Sequence, residues 1–359
     1  MKLALIRRKF SATGGAELYL QRLLRALVEN GHEVHLFTES WQGNPEGVTL
    51  HPVAITGSRA GLPLKFAEAV KRELETQSFD CVFSLERTIR QNVYRAGDGV
   101  HRIWLERRGE YAAWWKKPFV SSGAFHRNMQ ALEVRTFDPV NTGHIIVNSD
   151  MVKREIIDCF NFPPGRIHLI RNGVDTDRFQ RGLRAETRAR FGVKEDEFLL
   201  LFVGSGWERK GLGYLIEALR TQRGQKVRLL VVGKGRKPRG VPRDVIFSGP
   251  MTDTENAYAA ADLFVFLPVY EPSANVCFEA LSAGLPVVTT AQNGAAEVIQ
   301  EGVNGSVIAR PDDIAAVANA IRFWRKQSRP VKTAFDLSLE RNVSETLAVL
   351  ELAAREQRR

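Results

Sequence analysis

Short apolar runs rich in β-branched residues alternate along most of the chain with longer stretches whose apolar positions recur every three to four residues. The first pattern suits strands buried on both faces and the second suits helices laid over them, which together describe βαβ units and a parallel sheet. Near the start, KLALI leads through Gly14 and Gly15 into a helix predicted from Ala16 to Asn30, with Leu20, Leu23, Leu24 and Leu27 as its buried stripe and Gly31 as its stop. EVHLFT, CVFSL and HIIVNS read as further strands, and in the second half FLLLFVG, VRLLVVG, VIFSG, DLFVFLP and PVVTT do the same more regularly. Pro163, Pro164 and Gly165 cannot continue a helix and mark a linker between the halves. The pattern therefore predicts an α/β chain of two doubly wound domains, residues 1–165 and 166–332, with a helical segment over 333–359 packing back on the first. Two such domains should face each other across a cleft at the carboxyl ends of their strands, where small ligands bind in these folds.

Composition narrows the field. The 359 residues are 44% hydrophobic, enough for two packed cores rather than a disordered chain. The three cysteines, Cys81, Cys159 and Cys277, show none of the short spacings of a zinc site or a disulfide framework, which fits a reducing, cytoplasmic setting. MKLALIRRKF carries its charges after its apolar burst, the reverse of a secretion signal, and no run approaches the roughly 20 apolar residues that cross a bilayer. The net charge of +10 is spread over both halves and favours anionic partners: phosphates, nucleic acid or acidic lipid.

Two segments carry chemistry that suits a phosphate. In SGWERKGLGYLIEAL, Arg209 and Lys210 lie on a loop after a strand and just before a helix, where side-chain charge and free helix amides can act together on a diphosphate. The plainer reading of this pair is two solvated cations. In EPSANVCFE, Glu271 sits on the loop after DLFVFLP and Glu279 about one turn inside a helix that opens near Ala274, which leaves the amides of Asn275 and Val276 free to meet an anion. Two carboxylates flanking an anion site can accept from vicinal hydroxyls on either side of it, and a sugar nucleotide offers both: hexose hydroxyls at one end, ribose hydroxyls at the other. The plainer alternative is a pair of acids complementing a helix dipole. Asp175-Thr176-Asp177 resembles a metal-binding triplet but follows the turn formers of RNG, so no metal site is expected there. GKGRKP lacks the third glycine and the following helix of a dinucleotide fingerprint.

Glu-x7-Glu after a strand, preceded by Arg209-Lys210 and by an N-terminal Gly-Gly loop, resembles the family-four retaining glycosyltransferases of the GT-B fold, which is built of two Rossmann-like domains. The likeness extends through GGAELYLQRLLRALVENGHEVHLFT, RNGVDTDRF and AAADLFVFLPVYEPSANVCFEALSAGLPVVTTAQNGAAEVI. YRAGDGVHRIWLERRGEYAAWW and FVGSGWERKG look most like the lipopolysaccharide-core glucosyltransferases that add the first hexose. The resemblance implies that Arg209 and Lys210 hold the donor pyrophosphate, Glu279 the ribose and Glu271 the hexose, with the amides of Asn275 and Val276 on the sugar or phosphate. It further implies that Gly14 and Gly15 let the backbone approach the donor, that Asp98 and His101 face the reactive side of the sugar, and that Arg178 contacts phosphate. Front-face attack, with the donor phosphate helping to take the acceptor's proton, would need no dedicated side-chain base and no metal. The donor so implied is UDP-glucose or a similar UDP-hexose, and the acceptor a lipid-linked saccharide such as the lipopolysaccharide inner core. A GDP-mannose transferase acting on another glycolipid or an exopolysaccharide is the alternative enzyme. A basic nucleic-acid-binding protein would leave both glutamates unexplained.

HRIWLERRGEYAAWWKK gathers Trp104, Trp114 and Trp115 among Arg102, Arg107, Arg108, Lys116 and Lys117. Rings at headgroup depth and cations against anionic lipid suit a peripheral site on the inner face of the cytoplasmic membrane. A core-facing helix with ordinary cations is the alternative.

Overall fold

The computed structural model describes residues 1–9, 15–43, 45–222, 224–327 and 329–358, of which 15–19 and Lys116 are described by their backbone alone. Gly14 therefore lies outside the described residues. The chain divides into two compact units, Met1–Arg171 with Glu340–Arg359, and Asn172–Leu339.

The first unit contains β1 (Lys2–Ile6), α1 (Gly15–Glu29), β2 (Glu33–Thr38), β3 (Val48–Pro52), α2 (Leu62–Glu75), β4 (Cys81–Ser84), β5 (Gln91–Arg95), α3 (His101–Glu110), α4 (Ala124–Thr136), β6 (Thr142–Val147), α5 (Asp150–Phe160) and β7 (Ile167–Leu169). Its seven strands are all parallel, in the order β3-β2-β1-β4-β5-β6-β7. The leucine stripe of α1 is buried as its spacing predicts, in one cluster with Leu3, Leu5, Phe83 and, from the chain's end, Val349, Leu350, Ala353 and Ala354. Phe66 and Val70 of α2 pack with Ala4, Ile6 and Phe37 in another cluster. The strand β7 pairs with β6, so the first unit runs on to Arg171, six residues past the expected linker, and residues 164–166 form only a short 3-10 turn leading into it.

The second unit contains α6 (Thr176–Gln180), α7 (Arg184–Arg190), β8 (Phe198–Val203), α8 (Leu212–Arg220), β9 (Val227–Val232), β10 (Val245–Gly249), α9 (Thr254–Ala260), β11 (Leu263–Phe266), α10 (Asn275–Ser282), β12 (Val287–Thr290), β13 (Gly305–Ile308) and α11 (Ile314–Trp324). Six parallel strands lie in the order β10-β9-β8-β11-β12-β13, and one continuous apolar cluster fills the unit. The last helix, α12 (Leu339–Gln357), starts six residues later than the helical segment read from the sequence, and from Glu340 on it belongs to the first unit.

In both sheets the order runs outward from a central strand to one edge and then returns to build the other half. In the second unit that reversal falls between β8 and β11, and the loops that leave the carboxyl ends of these two strands diverge and open a crevice. Arg209 and Lys210 lie on the loop after β8, and Glu271 lies on the loop after β11.

Gly211 closes the first of these loops at φ +77°, and a Cβ there would stand 1.9 Å from the carbonyl oxygen of Leu267. An alanine needs both a left-handed backbone and a displaced β11 loop, a strain of about 2–4 kcal/mol. Gly211→Ala is expected to lower the melting temperature by roughly 5–10 °C in a thermal scan. An unchanged melting temperature would show that the two loops are not locked together here.

Candidate functional site

Four connections tie the carboxyl end of the second sheet together. Gly204 N donates to Val232 O at 2.9 Å, Lys234 N to Ser205 Oγ at 3.1 Å, Val269 N to Arg209 O at 3.2 Å, and Thr290 Oγ1 to Pro268 O at 2.7 Å. The indole of Trp207 donates to Gly204 O at 2.8 Å, and Gly235 lies so close under its ring that a Cβ would sit 2.3 Å from it. That packing accounts for the second glycine of GKGRKP.

On this platform Arg209 Nη1 meets Glu271 Oε2 at 2.9 Å. Lys210 lies beside them with its Nζ 5.5 Å from the centre of the Phe266 ring. Burial holds the Lys210 ammonium below its ordinary pKa, and Arg209 adds to that, while Glu271 and Glu279 pull it back up. A largely desolvated Lys210 thus stands beside an exposed Arg209, and burial of the first strengthens its attraction for an anion.

Glu279 is on α10 and accepts from the Tyr258 hydroxyl at 2.7 Å. Burial raises its pKa, and Tyr258, Arg178 and Lys210 oppose the rise. One carboxylate oxygen, Oε2, is held by the fully buried Tyr258. Among the described residues no side chain caps α10, so its first amides, at Asn275 and Val276, keep their donors. The Asn275 side chain accepts from Asn172 Nδ2 at 2.6 Å, and the same Asn172 nitrogen reaches Ser273 O at 3.1 Å. Arg209, Lys210, Glu271, Asn275, Val276 and Glu279 therefore belong to one locality of the second unit.

Arg178 is engaged within the second unit. Its guanidinium donates to Glu255 Oε2 at 2.6 and 2.8 Å and to Thr252 O at 2.7 Å. It touches the locality through its charge, by opposing the rise at Glu279. Asp175 accepts from Arg178 N at 3.2 Å as the cap of α6, and Asp177 pairs with Arg181 at 3.8 Å. Among the described residues no group of three His, Cys, Asp or Glu is arranged to hold a metal ion.

The sequence reading missed Asn293. Its side chain is buried, accepts from Ala274 N and Ala295 N at 3.1 Å each, and donates to Thr289 Oγ1 at 2.9 Å. Backbone bonds from Glu271 N to Gln292 O and from Gly294 N to Glu271 O, both 2.9 Å, complete the brace. Asn293 thereby sets the height of the Glu271–Ala274 loop. The only signal in the sequence was an amide residue closely following the strand PVVTT, which also reads as an ordinary turn.

The remaining expected residues lie in the first unit. Gly15 is the first residue of α1. Asp98 is exposed and stands 4.0 Å from Arg87 Nη1. His101 opens α3, and its backbone N donates to Glu133 Oε1 at 2.6 Å while Arg102 N donates to Glu133 Oε2 at 3.2 Å. Glu133, only 1% exposed, thus caps α3 from α4 and is itself held by Arg87 Nη2 at 3.3 Å. Neither Glu133 nor Arg87 was anticipated, because the chain separates them by 46 residues. Burial, with Arg87 and then His126 adding to it, brings the His101 pKa down from 6.5 to about 4. At neutral pH His101 is therefore an uncharged imidazole, able to donate and accept.

Trp114 and Trp115 stand on a short 3-10 helix, Trp114–Phe119, and are 78% and 59% exposed, with Phe119 at 70% and Lys117 exposed beside them. Trp104 does not join them. Its ring packs 5.3 Å from His101 and 5.8 Å from His126, with the Arg108 guanidinium 5.3 Å from its centre. No described helix is long and apolar enough to cross a membrane.

A profile described as Glycosyltransferase Family 4 matches residues 13–178, and one described as Glycosyl transferases group 1 matches residues 197–326. The chain is 29% identical over 322 residues to the lipopolysaccharide glucosyltransferase WaaG of Escherichia coli (strain K12), covering 84% of each chain. It is 26% identical over 341 residues to D-inositol 3-phosphate glycosyltransferase 2 of Catenulispora acidiphila, covering 83% of this chain and 79% of that one. A crystal structure of WaaG, a glycosyltransferase involved in lipopolysaccharide biosynthesis, superposes with a TM-score of 0.77 at 26% identity over 99% of this chain and 98% of the other. Profiles that take in most of both units, with a structural match over nearly the whole length, make this chain a member of the family-four glycosyltransferases with the GT-B fold.

Proposed function

We propose that this glycosyltransferase moves a hexose with retention of anomeric configuration from a UDP-hexose such as UDP-glucose to a lipid-linked saccharide of the lipopolysaccharide inner-core type, at a membrane surface and without a metal. The observation that carries the reading is the 2.9 Å contact of Arg209 with Glu271 beside Lys210 and the open amino end of α10. Departure of a nucleoside diphosphate leaves negative charge on phosphate and positive charge on the anomeric carbon. Arg209, Lys210 and the amides of Asn275 and Val276 meet the first charge, and the protein itself supplies the cations that a metal would otherwise bring. Glu271 accepts from hexose hydroxyls and Glu279 from the ribose, while Asp98 and an uncharged His101 take the roles toward the transferred sugar that the family resemblance gives them. The acceptor is argued from the likeness to the lipopolysaccharide glucosyltransferase and from the exposed Trp114, Trp115 and Phe119, whose rings suit headgroup depth better than water.

UDP is expected to raise the melting temperature of the wild-type protein equally with and without EDTA, while duplex DNA does not, and Lys210→Ala should abolish the shift. A shift that needs a divalent cation, or one that survives Lys210→Ala, would overturn the assignment of the diphosphate.

Vesicles containing anionic lipid should carry the wild type upward in flotation, and the Trp114→Ala/Trp115→Ala double variant should remain below. Equal flotation of the two would remove the membrane surface from the account.

The lowered pKa of His101 also has a sign. Between pH 6.5 and about 4 the unfolded chain binds a proton at this ring that the folded one refuses, so folding stability falls as the pH drops through that window. His32, His51, His126 and His168, all lowered by burial, act in the same direction. The melting temperature should decline from pH 6.5 to 4, and less steeply in His101→Gln; an equal slope would mean that His101 titrates normally in the folded state.

A further inference from the structure

We infer that His126 is a positioning residue for His101, fixing which of its ring nitrogens carries the proton and which nitrogen is left to meet the substrate. The inference rests on the proposed function in giving His101 a place beside the transferred sugar; the arrangement of the two rings stands independently of it.

His101 Nε2 lies 3.1 Å from His126 Nδ1. Between two neutral imidazoles that contact exists only when one nitrogen donates and the other accepts, so the tautomers of the two rings are coupled. Among the described residues His101 Nδ1 has no hydrogen-bond partner, which leaves it as the ring's unengaged polar atom. Its role, donor or acceptor, is the opposite of the one Nε2 plays toward His126. A metal-bound histidine is oriented through its second nitrogen by the same logic.

The surroundings hold both rings in place. Trp104 packs 5.3 Å from His101 and 5.8 Å from His126, and Phe125 stands 6.3 and 5.5 Å from the same two rings. Glu133 fixes the start of α3 through the amides of His101 and Arg102, so the backbone of His101 is set from α4 by one residue and its ring by another, seven positions apart on the same helix. Arg108 near His126 and Arg87 near His101 disfavour a second proton on either ring, which keeps the pair neutral.

The contact uses Nδ1 of His126, and this dictates the variants. An asparagine amide can occupy the position of a histidine Nδ1, a glutamine amide mimics Nε2 instead, and a phenylalanine keeps the ring packing but offers no hydrogen bond. With UDP-glucose as the probe, and hydrolysis or transfer as the readout, His126→Phe is expected to lower kcat about tenfold with the donor KM within about twofold of wild type. His126→Asn should recover most of the loss and His126→Gln little of it. In parallel, the ring nitrogen resonances of His101 should report one tautomer in the wild type and a mixture in His126→Phe. A wild-type kcat in His126→Phe, equal loss in the Asn and Phe variants, or a single His101 tautomer in both proteins would each overturn the inference. If the wild type instead turns over none of a panel of sugar nucleotides, or His101→Ala is as active as wild type, the proposed function fails on its own, and the nitrogen resonances still decide whether His126 sets the His101 tautomer.

Discussion

The reversal of strand order between β8 and β11 is the constraint on which the second unit's site depends. Elsewhere in a parallel sheet, successive loops leave in the same sense and cover one another. Where the order reverses they part, and the side chains at their bases come to face a common opening. Arg209, Lys210 and Glu271 are separated in sequence by about sixty residues and meet because their strands are neighbours at that point. The backbone bond from Val269 N to Arg209 O and the close approach of Gly211 to Leu267 keep the two loops from spreading apart.

From that constraint the chemistry follows. Cations held in a partly dry place attract a diphosphate more strongly than solvated ones do, and the open amino end of α10 adds donors that need no side chain. The two acids have separate fixtures: Asn293 and the Gln292–Gly294 backbone brace the Glu271 loop, from which Glu271 pairs with Arg209, and Tyr258 engages Glu279. In the first unit a different device places His101. A buried Glu133, paired with Arg87, reaches from α4 to cap α3, so one helix sets where another begins.

Much of this was legible in the chain itself. The leucine stripe of α1 and the apolar runs of β8, β9, β11 and β12 announced themselves by spacing, because strands buried on both faces must be apolar throughout. Arg209, Lys210 and Glu271 stood out as candidates because each lies on a loop that follows a strand, and Glu279 because it lies one turn inside the helix that such a loop opens into. The short strand β7 was not, since three residues carry too little pattern, and this is why the first unit runs six residues beyond the expected linker. Asn293, Glu133 and Arg87 escaped for another reason: each acts through partners distant in sequence, and their residue types are common in turns and on helix surfaces. Arg178 illustrates the converse, a cation of the right type whose hydrogen bonds go to Glu255 and Thr252. Trp104 resembled its neighbours Trp114 and Trp115 by composition alone, but the start of α3 turns it onto the two histidines.

The most direct test of the account is a crystal structure of the protein with UDP-glucose bound. The account requires diphosphate oxygens within hydrogen-bond distance of Arg209, Lys210 and the Asn275 and Val276 amides, with Glu279 on the ribose and Glu271 on the glucose. A nucleotide held elsewhere, with the Arg209–Glu271 contact intact and the start of α10 still open, would contradict it.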